Sequence, residues 1–485
     1  MKLNVSTYLD KMYACWIGKN IGGTMGTPYE SSRQMNDIQG FVTEANVVLP
    51  NDDLDLQLIW LLALERCGVA GLDAKRLGEF WLSYITPHWN EYGVGKANMK
   101  LGIQPPLSGE CFNTWKHSNG AWIRTEIWAS LAPGAPDVAM KYAYEDASVD
   151  HGTCEGTIAA MFVAAMESAA YVESDRFKLI DIALSKIPSE SRLAKSIRYL
   201  LELYHSGVDY KEARDLIQKQ NADIGDGWFE APSNVAYTMI GFLWGEGDFK
   251  RSMIYAINCG DDTDCTGATI GSLLGIIGGM KAIPEDWRAH IGDEIVTISI
   301  AHGVVPAPTP KNCTELTNRV YAQAQKVLDF NGADVELSAS PSEIPENIYE
   351  IFTEDNSFAK ELCARPAYSY REDFAYASAI VSLQGEPFIS ADAEYRVHVK
   401  LINNQKIYGR APYTLKFRWL LPDGFIVKGP KSALLPAIDP HTKGTVEVDF
   451  SILAPENPDA INRLVLEVLA DGRFTAGYLP IVLLA

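Results

Sequence analysis

Near residue 330 the hydrophobic period of this chain changes, and that change limits its fold more than any other feature. Before it, apolar segments such as "DLQLIWLLALERCG" (55–68), "GTIAAMFVAAMESAAYV" (156–172) and "SRLAKSIRYLLELYHSG" (191–207) are too long for single strands and read as helices. Several close on glycine. Their many Ala and Gly residues let helix axes approach closely, which predicts a compact multi-helix bundle. After residue 330 the period drops to two. Leu415, Phe417 and Trp419 alternate with Lys416 and Arg418, and Val446, Val448, Phe450 and Ile452 alternate with Glu447, Asp449 and Ser451. With "YRVHVKL" (395–401) and "RLVLEVL" (463–469), this is the pattern of a small antiparallel β-sandwich. The Ser/Pro/Glu-rich stretch "LSASPSEIPENIYEIF" (337–352) reads as linker. The expected organisation is an all-α domain over 1–332, a linker over 333–372 and a β-sandwich accessory domain over 373–485.

A chain of 485 residues, 47% of them hydrophobic, is long enough for more than one core. Its 62 acidic and 42 basic residues leave a formal charge of −20, which disfavours nonspecific binding to nucleic acid or anionic membrane. The opening "MKLNVSTYLDKMYACWIGKN" lacks the pattern of a secretory signal, so a cytoplasmic protein is expected. The most apolar stretch, around 265–280, is short and interrupted by glycines, below a membrane span. Eight scattered cysteines without a C-x-x-C pair read as reduced thiols. Zinc-protease, P-loop and serine-hydrolase motifs are all missing from the sequence.

Two acidic clusters carry the chemistry. In "NCGDDTDCTGATIGSLLGIIGG" (258–279), Asp261, Asp262 and Asp264 stand at the head of a small-residue apolar helix. In "LPNDDLDLQLIW" (49–60), Asn51 is a good N-cap and Asp52 and Asp53 fall in the first turn. Taken singly, either cluster is accounted for by the helix dipole. Two of them, each heading an unusually apolar helix in one domain, predict convergence. Four carboxylates in one site, Asp52, Asp53, Asp262 and Asp264, cannot all stay ionised without cations. Two Mg²⁺ ions would balance them, and oxygen donors are what Mg²⁺ selects. The lack of nearby His or Cys pairs disfavours zinc, and Cys259 and Cys265 read as packing residues.

These clusters, together with "GKNIGGTMGTPYE" (18–30), "DHGTCEGTIAAMFVAAM" (150–166) and "PSNVAYTMIGFLWGEGDF" (232–249), resemble the ADP-ribosylglycohydrolase family over roughly residues 10–300. The likeness is to the dinitrogenase-reductase-activating glycohydrolase type. It implies an all-helical fold, a binuclear Mg²⁺ centre in which Mn²⁺ can substitute, and cleavage of the glycosidic bond at C1″ of ADP-ribosyl or related ribosyl substrates. Carried over by motif, the metal ligands are Asn51, Asp52, Asp53, Asp262 and Asp264. The family usually has Thr at the positions of Asn51 and Cys265. A thiol is a poor Mg²⁺ ligand, so Thr266 or Thr263 is expected in its place. Glu30, with Asp53, is the catalytic candidate, its other reading being a solvated loop carboxylate. His151, Glu155, Asn234 and Gly26 are the substrate-binding candidates; each also has a structural reading, as a cap or, with Gly22 and Gly23, as a helix contact. Two alternatives stand beside this one: hydrolysis of nucleosides or small N-ribosyl compounds, and a non-catalytic ADP-ribose-binding or structural protein. The oligomeric state is left open.

Overall fold

Asn4 starts the helical part of the chain, its side chain accepting a hydrogen bond from the Thr7 amide at 3.1 Å to cap the helix Val5–Gly26. The computed structural model describes residues 1–225, 227–301, 307–354, 356–403, 412–438 and 444–485. Gly18, Gly22 and Gly26 repeat every four residues on the first helix, so they share one face. Against it lies the helix Thr263–Gly278 with Gly267, Gly271 and Gly275. A Cβ on Gly18 would overlap the Gly271 carbonyl, and one on Gly22 the Gly267 carbonyl. The two helices therefore meet backbone to backbone, which no larger residue at these positions permits. At the end of this seam the Thr263 hydroxyl donates to the Gly26 carbonyl at 2.8 Å. The N terminus of one helix is thereby held beside the C terminus of the other.

Helices Asp52–Cys67, Pro136–His151, Glu155–Ala170 and Ala231–Trp244 are buried along most of their length. This explains why the chain shows long apolar runs in place of narrow amphipathic stripes. They belong to a unit formed by Met1–Lys96 and Asn113–Ala364. Among the described residues no helix is long and apolar enough to cross a membrane.

The second unit comprises Arg365–Ala485 and also Ala97–Phe112, a piece drawn from far upstream. One antiparallel sheet places its strands in the order Ser369–Asp373, Ala377–Leu383, Glu394–Asn403, Thr445–Leu453, Ile426–Lys428. The other runs Ala476–Leu484, Ile461–Ala470, Tyr413–Leu420, Ser432–Leu435. Register pairs Val397 with Phe450 and Val399 with Val448, so alternate residues of neighbouring strands reach the same core. Val397, Val399, Leu401, Leu464, Leu466 and Val468 are buried there. Ile103, Leu107 and Cys111 join this β core from the upstream piece.

The stretch read as linker folds in large part. Glu336–Ser338 forms a parallel pair with Lys2–Asn4, and helices Ile348–Glu354 and Ser357–Cys363 follow. Ile348 and Phe352, four residues apart, and then Ala359 and Leu362 supply the buried faces. Ser/Pro/Glu composition hid a short apolar period, and the amides of the first strand needed a partner.

Candidate active site

The two acidic helix starts converge on one cavity of about 470 Å³. Asn51, in extended backbone, accepts from the Asp53 amide at 2.7 Å and so caps Asp52–Cys67. This fixes Asp52 and Asp53 in the first turn. Tyr92 donates its hydroxyl to Asp52 Oδ2 at 2.9 Å. On the facing side Asp261 adopts a left-handed φ of 66°, and that sharp turn leads into Thr263–Gly278 with Asp262 at its cap. Asn234 holds the turn: its Nδ2 donates to Asp261 Oδ2 at 2.9 Å, and its Oδ1 accepts from the Asp262 amide at 3.3 Å. Asn119 donates to Asp262 Oδ2 at 2.7 Å.

Among the described residues, two groups of side chains have ligand atoms within 4.8 Å of one another: Asp53, Asp264 and Cys265, and Glu30, Asp262 and Asp264. Asp264 belongs to both. Asp53 Oδ1 and Asp264 Oδ1 are buried without a hydrogen-bond partner among the described residues. Burial, and then the charge of neighbouring carboxylates, pushes the pKa values of Asp262 and Asp264 well up. For Asp262 the neighbouring charge is chiefly Glu30, and for Asp264 it is chiefly Asp262. Burial raises Asp53 too, against the opposing pull of Lys19. Glu30 is solvent-accessible at the rim, where partial desolvation and then Asp52 raise its pKa. Such a cluster binds protons or cations, and unsatisfied buried oxygens are the geometry a divalent ion completes. The donor set is mainly hard oxygen, which fits Mg²⁺ or Mn²⁺.

Several expected contributors sit elsewhere. Thr266 does not line the cavity; its hydroxyl donates back to the Thr263 carbonyl at 3.2 Å, and Cys265 faces the space instead. Thr263 is spent on Gly26. A Cβ on Gly26 would strike the Thr263 carbonyl, so this glycine serves the helix seam. Glu155 accepts from the Arg192 and Leu193 amides at 2.7 and 3.0 Å, filling two donors at the start of helix Arg192–His205. His151 is buried behind the wall, Nδ1 to Asp150 at 2.9 Å and Nε2 to the Ser118 hydroxyl at 3.1 Å. Of these three carried-over residues, Asn234 orients the Asp261–Asp262 turn, His151 backs a wall residue, and Glu155 caps a helix.

Other residues at the site escaped the sequence reading. Trp89, Glu91, Tyr92, Asn119 and Phe229 line the cavity. Glu91 is buried with Oε2 lacking a hydrogen-bond partner among the described residues. Behind Asp53 lies Lys19, whose ammonium donates to Glu126 Oε1 and the Ile123 carbonyl, both at 2.7 Å, and stands 4.0 Å from Asp53 Oδ1. Burial alone would discharge it, but Glu126 and then Asp53 keep it protonated. A lysine within the small-residue run "GKNIGG" was the signal available.

The family model for ADP-ribosylglycohydrolase matches residues 4–323, well over half of the chain. The chain belongs to the ADP-ribosylglycohydrolase family and is a hydrolase of the glycosidase class. No curated protein matches it. Among solved structures, an ADP-ribosylglycohydrolase-related protein complex is 18% identical, covering 67% of this chain and 99% of its own, with a TM-score of 0.43. A FixG-related protein from Vibrio parahaemolyticus is 9% identical, covering 23% of this chain and 97% of its own, with a TM-score of 0.19.

Proposed function

We propose that this glycosidase cleaves the bond at C1″ of ADP-ribosyl or related ribosyl substrates with the help of two Mg²⁺ ions, for which Mn²⁺ can substitute. The observation that supports it most is the pair of side-chain groups sharing Asp264, each within 4.8 Å, with buried carboxylate oxygens that lack a hydrogen-bond partner among the described residues. Asp53 and Asp264 would hold one ion, and Glu30, Asp262 and Asp264 the other, with Asp52 and Asn51 at the edge. Bound there, the ions supply charge balance and Lewis acidity.

The chain's own residues do the remainder. Asn119 and Tyr92 orient Asp262 and Asp52 by hydrogen bonds of 2.7 and 2.9 Å. The acidic wall favours the positive charge that grows at C1″ and the ring oxygen as the bond breaks. Glu30, accessible at the rim, accepts the proton of an attacking water or returns one to the leaving group if it does not itself hold the ion. Trp89, Tyr92 and Phe229 form apolar wall that keeps bulk water from the reacting carbon.

All the charged residues lining the cavity among those described are acidic: Glu30, Asp52, Glu91, Asp262 and Asp264. This favours, as a second reading, small N-ribosyl compounds with neutral or cationic leaving groups over substrates carrying a diphosphate. One assay addresses both. Chelator-treated protein is supplied with Mg²⁺ or Mn²⁺ and offered ADP-ribosylated peptide and N-ribosides, with release of ADP-ribose or ribose followed by mass spectrometry. Restored turnover is expected, with Zn²⁺ a poor substitute. Undiminished turnover after chelation counts against the cation centre.

A further inference from the structure

We infer that Cys265 makes the inner carboxylate group, Asp53 and Asp264, a binding site for a thiophilic divalent cation of the Zn²⁺ class, and that such a cation blocks the enzyme from there. The blocking rests on the hydrolytic reading above; the binding rests only on side chains in place.

The two groups that share Asp264 differ in chemistry. Glu30, Asp262 and Asp264 offer three carboxylates, a hard set suited to Mg²⁺. The inner group replaces one carboxylate by a sulfur, and the Lys19 ammonium 4.0 Å from Asp53 Oδ1 takes away part of its remaining negative charge. A hard cation that binds by charge is thus less favoured there, while a borderline-soft cation gains a bond to sulfur. Spacing agrees. A tetrahedral zinc site with Zn–S of about 2.3 Å and Zn–O of about 2.0 Å separates sulfur from oxygen by about 3.5 Å. Cys265 Sγ stands 3.8 Å from Asp53 Oδ2.

An independent feature also calls for a ligand. Asp264, only 6% exposed, has its Oδ1 buried with no hydrogen-bond partner among the described residues, whereas Asp53 Oδ1, also without a hydrogen bond, faces the Lys19 ammonium. Without an ion the thiol makes only weak hydrogen bonds, to Asp53 and to Asp262. With one, the sulfur–metal bond replaces the S–H bond and the proton leaves to solvent. Asp53, Asp264 and Cys265 then give three protein ligands, leaving a fourth position toward the cavity that Cys265 and Asp264 line.

The test uses the metal-stripped full chain and Co²⁺ as a coloured stand-in for Zn²⁺. Stoichiometric Co²⁺ is expected to produce a thiolate-to-metal charge-transfer absorption in the wild type and in Cys259→Ser, and none in Cys265→Ser. Calorimetry with Zn²⁺ should show affinity falling by at least about tenfold in Cys265→Ser, with Mg²⁺ affinity changed much less. In Mg²⁺-driven turnover, Cys265→Ser should need correspondingly more Zn²⁺ for half inhibition than the wild type. Absence of the absorption in the wild type, or equal Zn²⁺ affinity in the two proteins, overturns the inference. If Cys265→Ser fails to melt cooperatively, Cys265→Ala takes its place, and the wild-type spectrum decides by itself. Turnover that ignores Mg²⁺ sinks the cation-dependent reading of the active site and leaves the spectrum standing; a missing band with intact Mg²⁺ dependence does the reverse.

Discussion

Asp264 takes part in both carboxylate groups, so its loss should reach further than that of any neighbour. Asp264→Asn is expected to abolish turnover, and Asp262→Asn to do the same, while both proteins stay folded. Their stability without metal carries a sign. Burial first, then a neighbouring carboxylate, Glu30 for Asp262 and Asp262 for Asp264, raises the folded-state pKa values of both above the unfolded value of about 3.9. The folded metal-free protein therefore holds more protons than the unfolded chain above about pH 4, and its stability falls as pH rises. Melting with chelator at pH 5 and pH 8 should show a loss at the higher pH that Mg²⁺ offsets and that Asp264→Asn reduces. An unchanged slope in that variant would count against the carboxylate cluster as its source. Glu30→Gln keeps shape and hydrogen bonding but removes basicity, and turnover should drop by about two orders of magnitude or more. Calorimetry then separates roles: ligand affinity held with metal affinity intact marks proton transfer, and weakened metal affinity marks ligation.

Between helices, the contact of Val5–Gly26 with Thr263–Gly278 sets where the Asp262–Asp264 cluster stands, and Gly23 of the first helix lies against the Asn51 side chain that caps the helix of the other cluster. Gly22→Ala places a methyl into the Gly267 carbonyl and should destabilise the protein by about 3 kcal/mol, the upper end for overpacking, in denaturant unfolding. Gly40→Ala, where a Cβ meets nothing within 4 Å, should stay within about 0.5 kcal/mol of wild type. Equal stability of the two variants would show that the seam can open without cost. The glycine spacing of this seam was visible in the sequence as permission for close approach, but not which helix would be its partner. Motif position likewise left two uses open for Glu155, because a carboxylate beside an apolar helix is equally useful to the bare amides of another helix start. Only the path of Arg192–His205 shows which use it has.

Across the whole molecule, the β core is completed by residues 97–112, which lie far from it in sequence. A chain ending at Ala364 should leave Ile103, Leu107 and Cys111 without their β-core cover, bind a hydrophobic dye and aggregate on size exclusion. Polar substitution of those three residues should relieve the dye binding, and a monodisperse, dye-negative truncation would deny their part in the core. The sequence by itself determined the helical and β classes, through periods of 3.6 and 2 that depend only on local geometry. It also marked the Asp52–Asp53 and Asp262–Asp264 pairs, since charge at the head of a buried helix is rare enough to notice. Tertiary structure alone decided that Cys265 and not Thr266 faces the cavity. The same was true of Asn119, Tyr92 and Lys19 gathering around the carboxylates, and of an upstream segment entering the β core. Adjacent residues on a helix differ by about 100° in direction, so which of them meets a cavity depends on how the helix is turned against its neighbours, and that rotation is set by packing partners hundreds of residues away.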